Sequence, residues 1–182
     1  MTGLFIAVVG PSGVGKDSVM AGLVAAHPNY VLARRMITRP QDAGGEDFTE
    51  TTREAFAELA AQEHFALHWE SHGLSYGIPA SVRADLDAGR DVLANLSRSV
   101  LDKAVQQFPT CRVVNLTASA EVLAQRLSGR GRETAEQIGK RLAQADRAIP
   151  EGITSFTVSN EGPLQQTVAQ IHRALQPVSS AR

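Results

Sequence analysis

Apolar runs alternate with amphipathic stretches along almost the whole chain. Runs typical of strands occur at 4–9, 30–37, 65–70, 91–96, 111–116 and 154–158. Patterns of helical period lie between and after them, at 16–26, 53–62, 80–88, 99–107, 119–128, 134–147 and 163–175. Short strands separated by helices predict a largely parallel sheet that is covered by helices on both faces, which is an α/β fold of three layers.

Polar segments between these elements indicate where a site could form. Thr51 and Glu54 have the spacing of a capping box at the start of the second predicted helix. Residues 38–50 are polar and contain glycines, so we predict a loop there. Ligands of parallel sheets bind beyond the carboxyl ends of the strands. This rule makes candidate site segments of 34–48, 71–79 and 95–98.

The turn after the first predicted strand carries the most specific chemical signal. It has the sequence Gly10-Pro11-Ser12-Gly13-Val14-Gly15-Lys16-Asp17-Ser18, with a strand before it and a helix after it. The three glycines let successive backbone N–H groups approach a phosphate without interference from Cβ atoms. Lys16 adds a positive charge, and the helix adds its positive N-terminal end. We therefore predict a nucleotide phosphate-binding loop.

One position of this loop departs from the usual motif. The residue after the lysine is normally Ser or Thr, whose hydroxyl ligates Mg²⁺, but here it is Asp17, followed by Ser18. Magnesium accepts one or two carboxylates besides phosphates and water, so Asp17 and Ser18 are candidate metal ligands. Alternatively, Asp17 only stabilises the positive end of the helix. We favour the metal role because a metal ligand usually occupies this position.

Composition narrows the function classes. A chain of 182 residues with 43% hydrophobic content predicts one domain with a sizeable core. The formal net charge of −1 gives no basic field for nucleic acid or an anionic membrane, so neither is an expected partner. Cys111 is the single cysteine, and no apolar run approaches a membrane span, so we expect a cytoplasmic location.

Several further segments resemble the guanylate kinase family, in the same order and over nearly the whole chain. Besides the phosphate-binding loop, they are Thr38-Arg39-Pro40 with Gly45-Glu46, the Gly73-x-x-Tyr76-Gly77 turn, Arg126 to Glu133, and Ile138 to Leu142. This resemblance implies a three-layer P-loop NTPase fold in a single domain, with ATP as co-substrate and Mg²⁺ as cofactor. It also implies a small acceptor-binding region at about 34–80 and a lid at about 126–147.

The acceptor region departs from the guanylate kinase pattern. Leu67 and Ile78 stand where that family has the polar residues that contact guanine, and Asp42 stands where it has a second arginine for the acceptor phosphate. The family's paired aspartates after the central strand are replaced in Asn95-Leu96-Ser97. A leucine and an isoleucine offer no hydrogen bond to a base edge, so we do not expect guanine specificity.

A narrower family, the ribose 1,5-bisphosphate phosphokinases associated with phosphonate breakdown, is more similar. The shared segments are Gly15-Lys16-Asp17-Ser18, Ile37-Thr38-Arg39, Trp69 to Gly77 and Asn95-Leu96-Ser97-Arg98. The resemblance implies that a phosphorylated sugar is converted with ATP to 5-phosphoribosyl 1-diphosphate and ADP. Two alternatives remain open, namely a guanylate kinase or other small-molecule kinase, and a non-catalytic binding module. A homodimer is also left open.

The resemblance implies roles for individual residues. By this resemblance, the candidate catalytic residues are Lys16, Arg39, Arg130 and Arg141. Nucleotide contacts fall to the loop 10–18 and to Arg126, and acceptor contacts to Arg39, Glu46, Tyr76, Asn95, Ser97 and Arg98.

Other side chains near the acceptor region receive weaker interpretations. Arg34 and Arg35 are neighbours on a predicted strand, so at most one of them can face the site. His68, Glu70 and His72 are interpreted as a polar wall rather than a metal site.

Overall fold

The computed structural model describes residues 2–40, 46–129, 135–143 and 148–176. The strands are β1 Phe5–Val9, β2 Tyr30–Leu32, β3 Met36–Ile37, β4 Thr49–Glu50, β5 Phe65–Ser71, β6 Leu74–Pro79, β7 Asp91–Asn95, β8 Cys111–Thr117 and β9 Ser155–Ser159. The helices are α1 Lys16–Ala26, α2 Arg53–Ala61, α3 Val82–Asp87, α4 Leu101–Gln107, α5 Ala120–Gly129, α6 Ala135–Ala143 and α7 Leu164–Leu175, with a 3₁₀ turn at Arg98–Val100.

A five-stranded parallel sheet forms the centre of the molecule. Its strand order is β2-β7-β1-β8-β9. The central strand β1 is completely buried, and alternation places Phe5 and Val9 in one apolar cluster and Ile6 and Val8 in another. Both faces of the sheet are therefore covered, which confirms the predicted three-layer α/β fold.

A second, four-stranded sheet lies between β2 and α3 in the chain. Its order is β4-β3-β6-β5, and β5 and β6 form an antiparallel hairpin. His72 and Gly73 make the hairpin turn with φ values of 50° and 74°. Segment 71–79 is a candidate site segment in the sequence, and no strand is predicted there because Gly77 interrupts the apolar pattern of β6.

The predicted strand 30–37 is divided between the two sheets. Its first part, β2, pairs with β7 in the parallel sheet, whereas β3 pairs with β4 and β6 in the second sheet. The crossing segment 33–35 contains Arg34 and Arg35. The prediction of one continuous strand is wrong because a hydrophobic pattern does not show to which sheet each residue pairs.

The predicted helices are present, with shifts at some ends. Helix α2 begins after Thr52, whose Oγ1 accepts a hydrogen bond from the N–H of Ala55 at 3.1 Å. The cap is thus one residue beyond the predicted Thr51. In the part of the chain that the structure describes, no helix is long and apolar enough to cross a membrane.

Candidate active site

The loop between β1 and α1 packs closely against neighbouring elements, which requires glycine at two positions. Gly15 has φ of 93°, and a Cβ atom there would lie 2.8 Å from Nδ2 of Asn160. Gly10 has φ of 153°, and a Cβ atom there would lie 2.6 Å from the carbonyl oxygen of Leu116. A side chain at either position would push the loop off its support.

The Lys16 ammonium lies inside the curve of this loop. Its Nζ donates to the carbonyl oxygens of Gly10 at 2.9 Å and Pro11 at 3.1 Å. Burial lowers the pKa of Lys16 from 10.5 to about 8; Asp17 opposes that shift, and Arg35 adds to it. A bound polyphosphate would supply the negative charge that stabilises the ammonium.

Asn160 and Arg126 support the outer side of the loop. Asn160, which follows β9 and is 6% exposed, donates from Nδ2 to the Val14 carbonyl at 2.7 Å. Thr167 donates to Oδ1 of Asn160 at 2.9 Å. Arg126 donates to the carbonyl oxygens of Val14 and Asn160 at 3.2 and 2.7 Å. These contacts satisfy a buried carbonyl and hold the loop in its curved conformation.

The sequence analysis assigns no role to Asn160. It lies directly after a strand of the parallel sheet, at the edge where ligands bind, and this position is the signal that could have found it. Next to it, a cavity of about 410 Å³ opens between the loop and the start of α7, which is a suitable volume for a nucleotide. The cavity is lined by Gly13, Gly15, Ser18, Arg126, Asn160 and Leu164.

A chain of polar contacts connects the phosphate-binding loop with the second sheet. Nδ2 of Asn95 donates to Oδ1 of Asp17 at 3.1 Å and to Oε2 of Glu46 at 3.0 Å. Oε1 of Glu46 pairs with Arg35, at 2.6 Å from Nη2 and 2.8 Å from Nε. The structure therefore brings three predicted site residues, Asp17, Glu46 and Asn95, into one network.

Arg35 is the arginine of the neighbouring pair that faces this network. Its guanidinium lies 5.0 Å from the ring centroid of Tyr76 and 5.9 Å from that of Trp69, and the two rings stack on each other. Arg34 instead pairs with Asp47 in an exposed contact. The sequence analysis correctly limits the pair to one inward-facing residue but does not identify which.

The two positions at which the predicted acceptor region departs from the guanylate kinase pattern are packed in the core. Leu67 is 5% exposed and Ile78 is fully buried, and they lie opposite each other in the β5–β6 pair. Both belong to the same apolar cluster as Val100 and Leu101. This part of the region therefore offers apolar contacts rather than hydrogen bonds to a base.

The structure describes the surroundings of two further predicted cations, Arg39 and Arg98. The Arg39 guanidinium is 4.6 Å from the ring centroid of Phe48. Nη2 of Arg98 donates to Oδ1 of Asn115 at 3.2 Å, and Ser97 caps the 3₁₀ turn that begins at Arg98. Arg130 lies outside the described residues, and of Arg141 the structure describes the backbone in α6 but not the side chain.

His68 and Glu70 lie on the opposite face of the second sheet. They line a cavity of about 530 Å³ between β5, α2 and Lys103, away from the phosphate-binding loop. Among the residues that the structure describes, no group of three or more His, Cys, Asp or Glu side chains is arranged to hold a metal ion. Of the three residues interpreted as a polar wall, His68 and Glu70 line this cavity, whereas His72 lies in the hairpin turn beyond the end of β5.

The donor atoms around Asp17 suit a magnesium ion that is bound mainly by a nucleotide. Asp17 and Ser18 are exposed at the start of α1, and their side chains offer only oxygen ligands. One carboxylate and one hydroxyl make an incomplete shell, which the phosphates of ATP and water would complete. The residues present therefore fit Mg²⁺ together with ATP.

Comparison with known proteins defines the class of this protein. The family model described as guanylate kinase matches residues 3–177, and the chain belongs to that family. The guanylate kinase of Anaplasma phagocytophilum has the same fold, with a TM-score of 0.69, 20% identity, and coverage of 96% of this chain and 85% of that one.

Two curated relatives are more similar in sequence. The ribose 1,5-bisphosphate phosphokinase PhnN of Ruegeria sp. strain TM1040 is 47% identical over 96% of this chain and 92% of its own length. The protein of the same name from Rhizobium etli strain CIAT 652 is 44% identical over 90% of this chain and 85% of its own. These relatives and the family support a phosphotransferase.

Proposed function

We propose that this protein transfers the γ-phosphate of ATP to ribose 1,5-bisphosphate and forms 5-phosphoribosyl 1-diphosphate and ADP. The observation that carries the proposal is the acceptor cleft itself. Glu46 and Asn95 connect Arg35 with Asp17 of the phosphate-binding loop, while the positions that would contact a nucleobase are the buried Leu67 and Ile78. The relatives named as ribose 1,5-bisphosphate phosphokinases support the same substrate.

The reaction requires alignment and charge neutralisation rather than a base. An oxygen of the C1 phosphate attacks the γ-phosphorus of ATP, and the bond from that phosphorus to the β,γ-bridging oxygen breaks with its electron pair going to ADP. The attacking phosphate is already ionised near neutral pH, so no proton has to be removed from it. Charged side chains around the cleft would neutralise the negative charge of the two approaching phosphates.

On the nucleotide side, the loop 10–18 would hold the phosphates with its backbone N–H groups, and Lys16 would neutralise the transferring group. Asp17 and Ser18 would hold Mg²⁺, which supplies charge neutralisation on the β- and γ-phosphates. Arg126 would reach the nucleotide from its position next to Val14. Arg130 and Arg141 of the proposed lid, 126–147, are further catalytic candidates.

On the acceptor side, the proposed region 34–80 would hold the sugar phosphate together with the segment after β7. Arg39 and Tyr76 are the proposed contacts of the reacting phosphate. Glu46, Asn95, Ser97 and Arg98 are the other proposed acceptor contacts. The first two already belong to the network that joins the second sheet to Asp17.

The test is a coupled assay of ADP release with four acceptors and Mg·ATP. The acceptors are ribose 1,5-bisphosphate, ribose 5-phosphate, GMP and AMP. We expect rapid release with ribose 1,5-bisphosphate and at most weak release with the other three, because none of them combines the two phosphates with a bare pentose. Release with GMP alone would identify a guanylate kinase instead, and no release with any acceptor would favour a binding module.

A further inference from the structure

Arg35 is a second arginine of the acceptor cleft, and no group of the substrate has yet been assigned to it. It is 12% exposed, whereas the neighbouring Arg34 is 54% exposed. Placing a guanidinium at such depth is costly unless its charge and its N–H groups are used. The surroundings of Arg35 therefore indicate a specific purpose.

The contacts of Arg35 fix the orientation of its guanidinium. Nε donates to Oε1 of Glu46 at 2.8 Å, Nη2 forms an ion pair with the same oxygen at 2.6 Å, and Nη1 donates to the Asn95 carbonyl at 3.0 Å. The stacked rings of Trp69 and Tyr76 support its face. An arginine has five N–H groups, which is more than the contacts with Glu46 and Asn95 use. The remaining donors of this oriented guanidinium are suited to the oxygens of a phosphate.

The position of Arg35 relative to Arg39 matches an acceptor with two phosphates. The two arginines stand before and after the short strand β3 and are separated by four residues, a span of at most about 13 Å in extended chain. Arg39 lies in the bend that follows β3, so the chain changes direction between the two arginines. Two long side chains this close along the chain can reach two phosphates on opposite ends of one pentose.

We propose that Arg35 binds the phosphate that does not react, the one on C5 of the sugar. The proposal rests on the proposed function, in which Arg39 contacts the reacting C1 phosphate. Glu46 and the two aromatic rings act on Arg35 as positioning groups. Because Leu67 and Ile78 offer no polar contact, Arg35 selects an acceptor that presents a second anion rather than a base.

Two fragments of the substrate separate the roles of the two arginines. Ribose 5-phosphate carries only the C5 phosphate, and ribose 1-phosphate carries only the C1 phosphate. The experiment measures the inhibition constants of these two fragments, in competition with ribose 1,5-bisphosphate, for the wild type, Arg35→Ala and Arg39→Ala. Arg34→Ala is the matched control, because Arg34 is adjacent, equally charged and half-exposed, with contacts to Asp47 and to the Phe48 carbonyl rather than to Glu46.

We expect a crossed pattern. Arg35→Ala weakens the binding of ribose 5-phosphate by about 10- to 100-fold, as expected for the loss of a charged hydrogen bond. The same variant changes the inhibition constant of ribose 1-phosphate by less than about twofold. Arg39→Ala weakens the binding of ribose 1-phosphate and leaves that of ribose 5-phosphate nearly unchanged. Arg34→Ala changes the inhibition constant of neither fragment by more than about twofold. Equal weakening of both fragments by Arg35→Ala, or weakening of neither, would overturn the proposal.

Two further measurements keep this test independent of folding and of the proposed function. Removal of Arg35 leaves Glu46 without its cation, so each variant is checked by thermal unfolding, and Arg35→Lys is included because it keeps the charge but loses the paired N–H geometry. We expect Arg35→Lys to fold like the wild type and still to bind ribose 5-phosphate more weakly. If the wild type phosphorylates a different acceptor, the proposed function fails, while calorimetric titration of ribose 5-phosphate still shows whether Arg35 binds it.

Discussion

The two sheets of this protein offer different kinds of groups for phosphate binding. At the end of the parallel sheet, the phosphate-binding loop relies on backbone groups, and Gly10, Gly15 and the Asn160 side chain fix its shape. At the second sheet, the candidate acceptor contacts are side chains, with Arg35 held by Glu46 and two aromatic rings.

This difference explains why one half of the site follows the family closely and the other half does not. A cradle made of backbone N–H groups needs particular φ values and close packing, so few residues are acceptable there. A cleft lined by side chains can change its ligand by substitution while the strands stay in place. Leu67 and Ile78 are substitutions of this kind, and we expect acceptor specificity to lie in the second sheet.

The largest effect is expected on the nucleotide side, from Lys16→Met. Loss of the ammonium removes positive charge from the transferring phosphate, and we expect kcat to fall by about 10²- to 10³-fold. The measurement is steady-state ADP release with saturating ribose 1,5-bisphosphate. A fall of less than about tenfold would show that the backbone cradle stabilises the transferring phosphate without the lysine.

The pH dependence of the same residue provides a second observation. The pKa of Lys16 is lowered to about 8 in the folded protein, below its ordinary 10.5, mainly by burial. Between these values the unfolded chain binds the proton and the folded chain does not, so wild-type stability should rise with pH across this window. Lys16→Met should lack this rise in unfolding experiments. In the wild type, kcat/KM for ATP should decline as pH rises through about 8.

The acceptor side is tested by Ile78→Ser, which places a hydroxyl where guanylate kinases have a base contact. Because Ile78 is fully buried against Leu67 and the core, we expect a loss of about 2–4 kcal/mol in the free energy of unfolding. We expect no gain of activity with GMP. Urea unfolding measures the stability, and the four-acceptor assay measures the activity with GMP. A gain of GMP phosphorylation with little loss of stability would show that Ile78 is not part of the packed core.

The elements of the parallel sheet were largely predictable from sequence, because β1 is a continuous apolar run, β7 and β8 each have an apolar centre, and the loop after β1 has a specific motif. The second sheet was less predictable. The strand β6 contains Gly77, and β3 is two residues long, so neither gives a clear periodic pattern. The contact of Asn95 with both Asp17 and Glu46 joins residues 78 and 49 positions apart, and local patterns carry no information on such pairs.

A smaller effect is expected at the start of α2, the helix that packs against β5 of the second sheet. Thr52→Ala removes the side-chain acceptor of the Ala55 N–H and should lower the free energy of unfolding by about 1 kcal/mol. Thr51→Ala is the matched control, since Thr51 precedes the cap and should change stability by only a few tenths of that, about 0.3 kcal/mol. Chemical denaturation measures both, and equal effects would show that the cap is shared.

The smallest effect is expected far from the site, where α1 and α7 meet. The imidazoles of His27 and His172 stack at 3.4 Å, and Nδ1 of His172 lies 2.9 Å from the Tyr30 hydroxyl. Burial and, to a lesser extent, His27 lower the pKa of His172 below its ordinary 6.5, while Asp91 opposes the shift. The unfolded chain therefore takes up a proton at higher pH than the folded one, and stability falls as pH falls below 6.5. His172→Asn should flatten this slope in urea unfolding between about pH 5 and 7 while kcat stays unchanged, and an unaltered slope would assign the acid sensitivity to other groups.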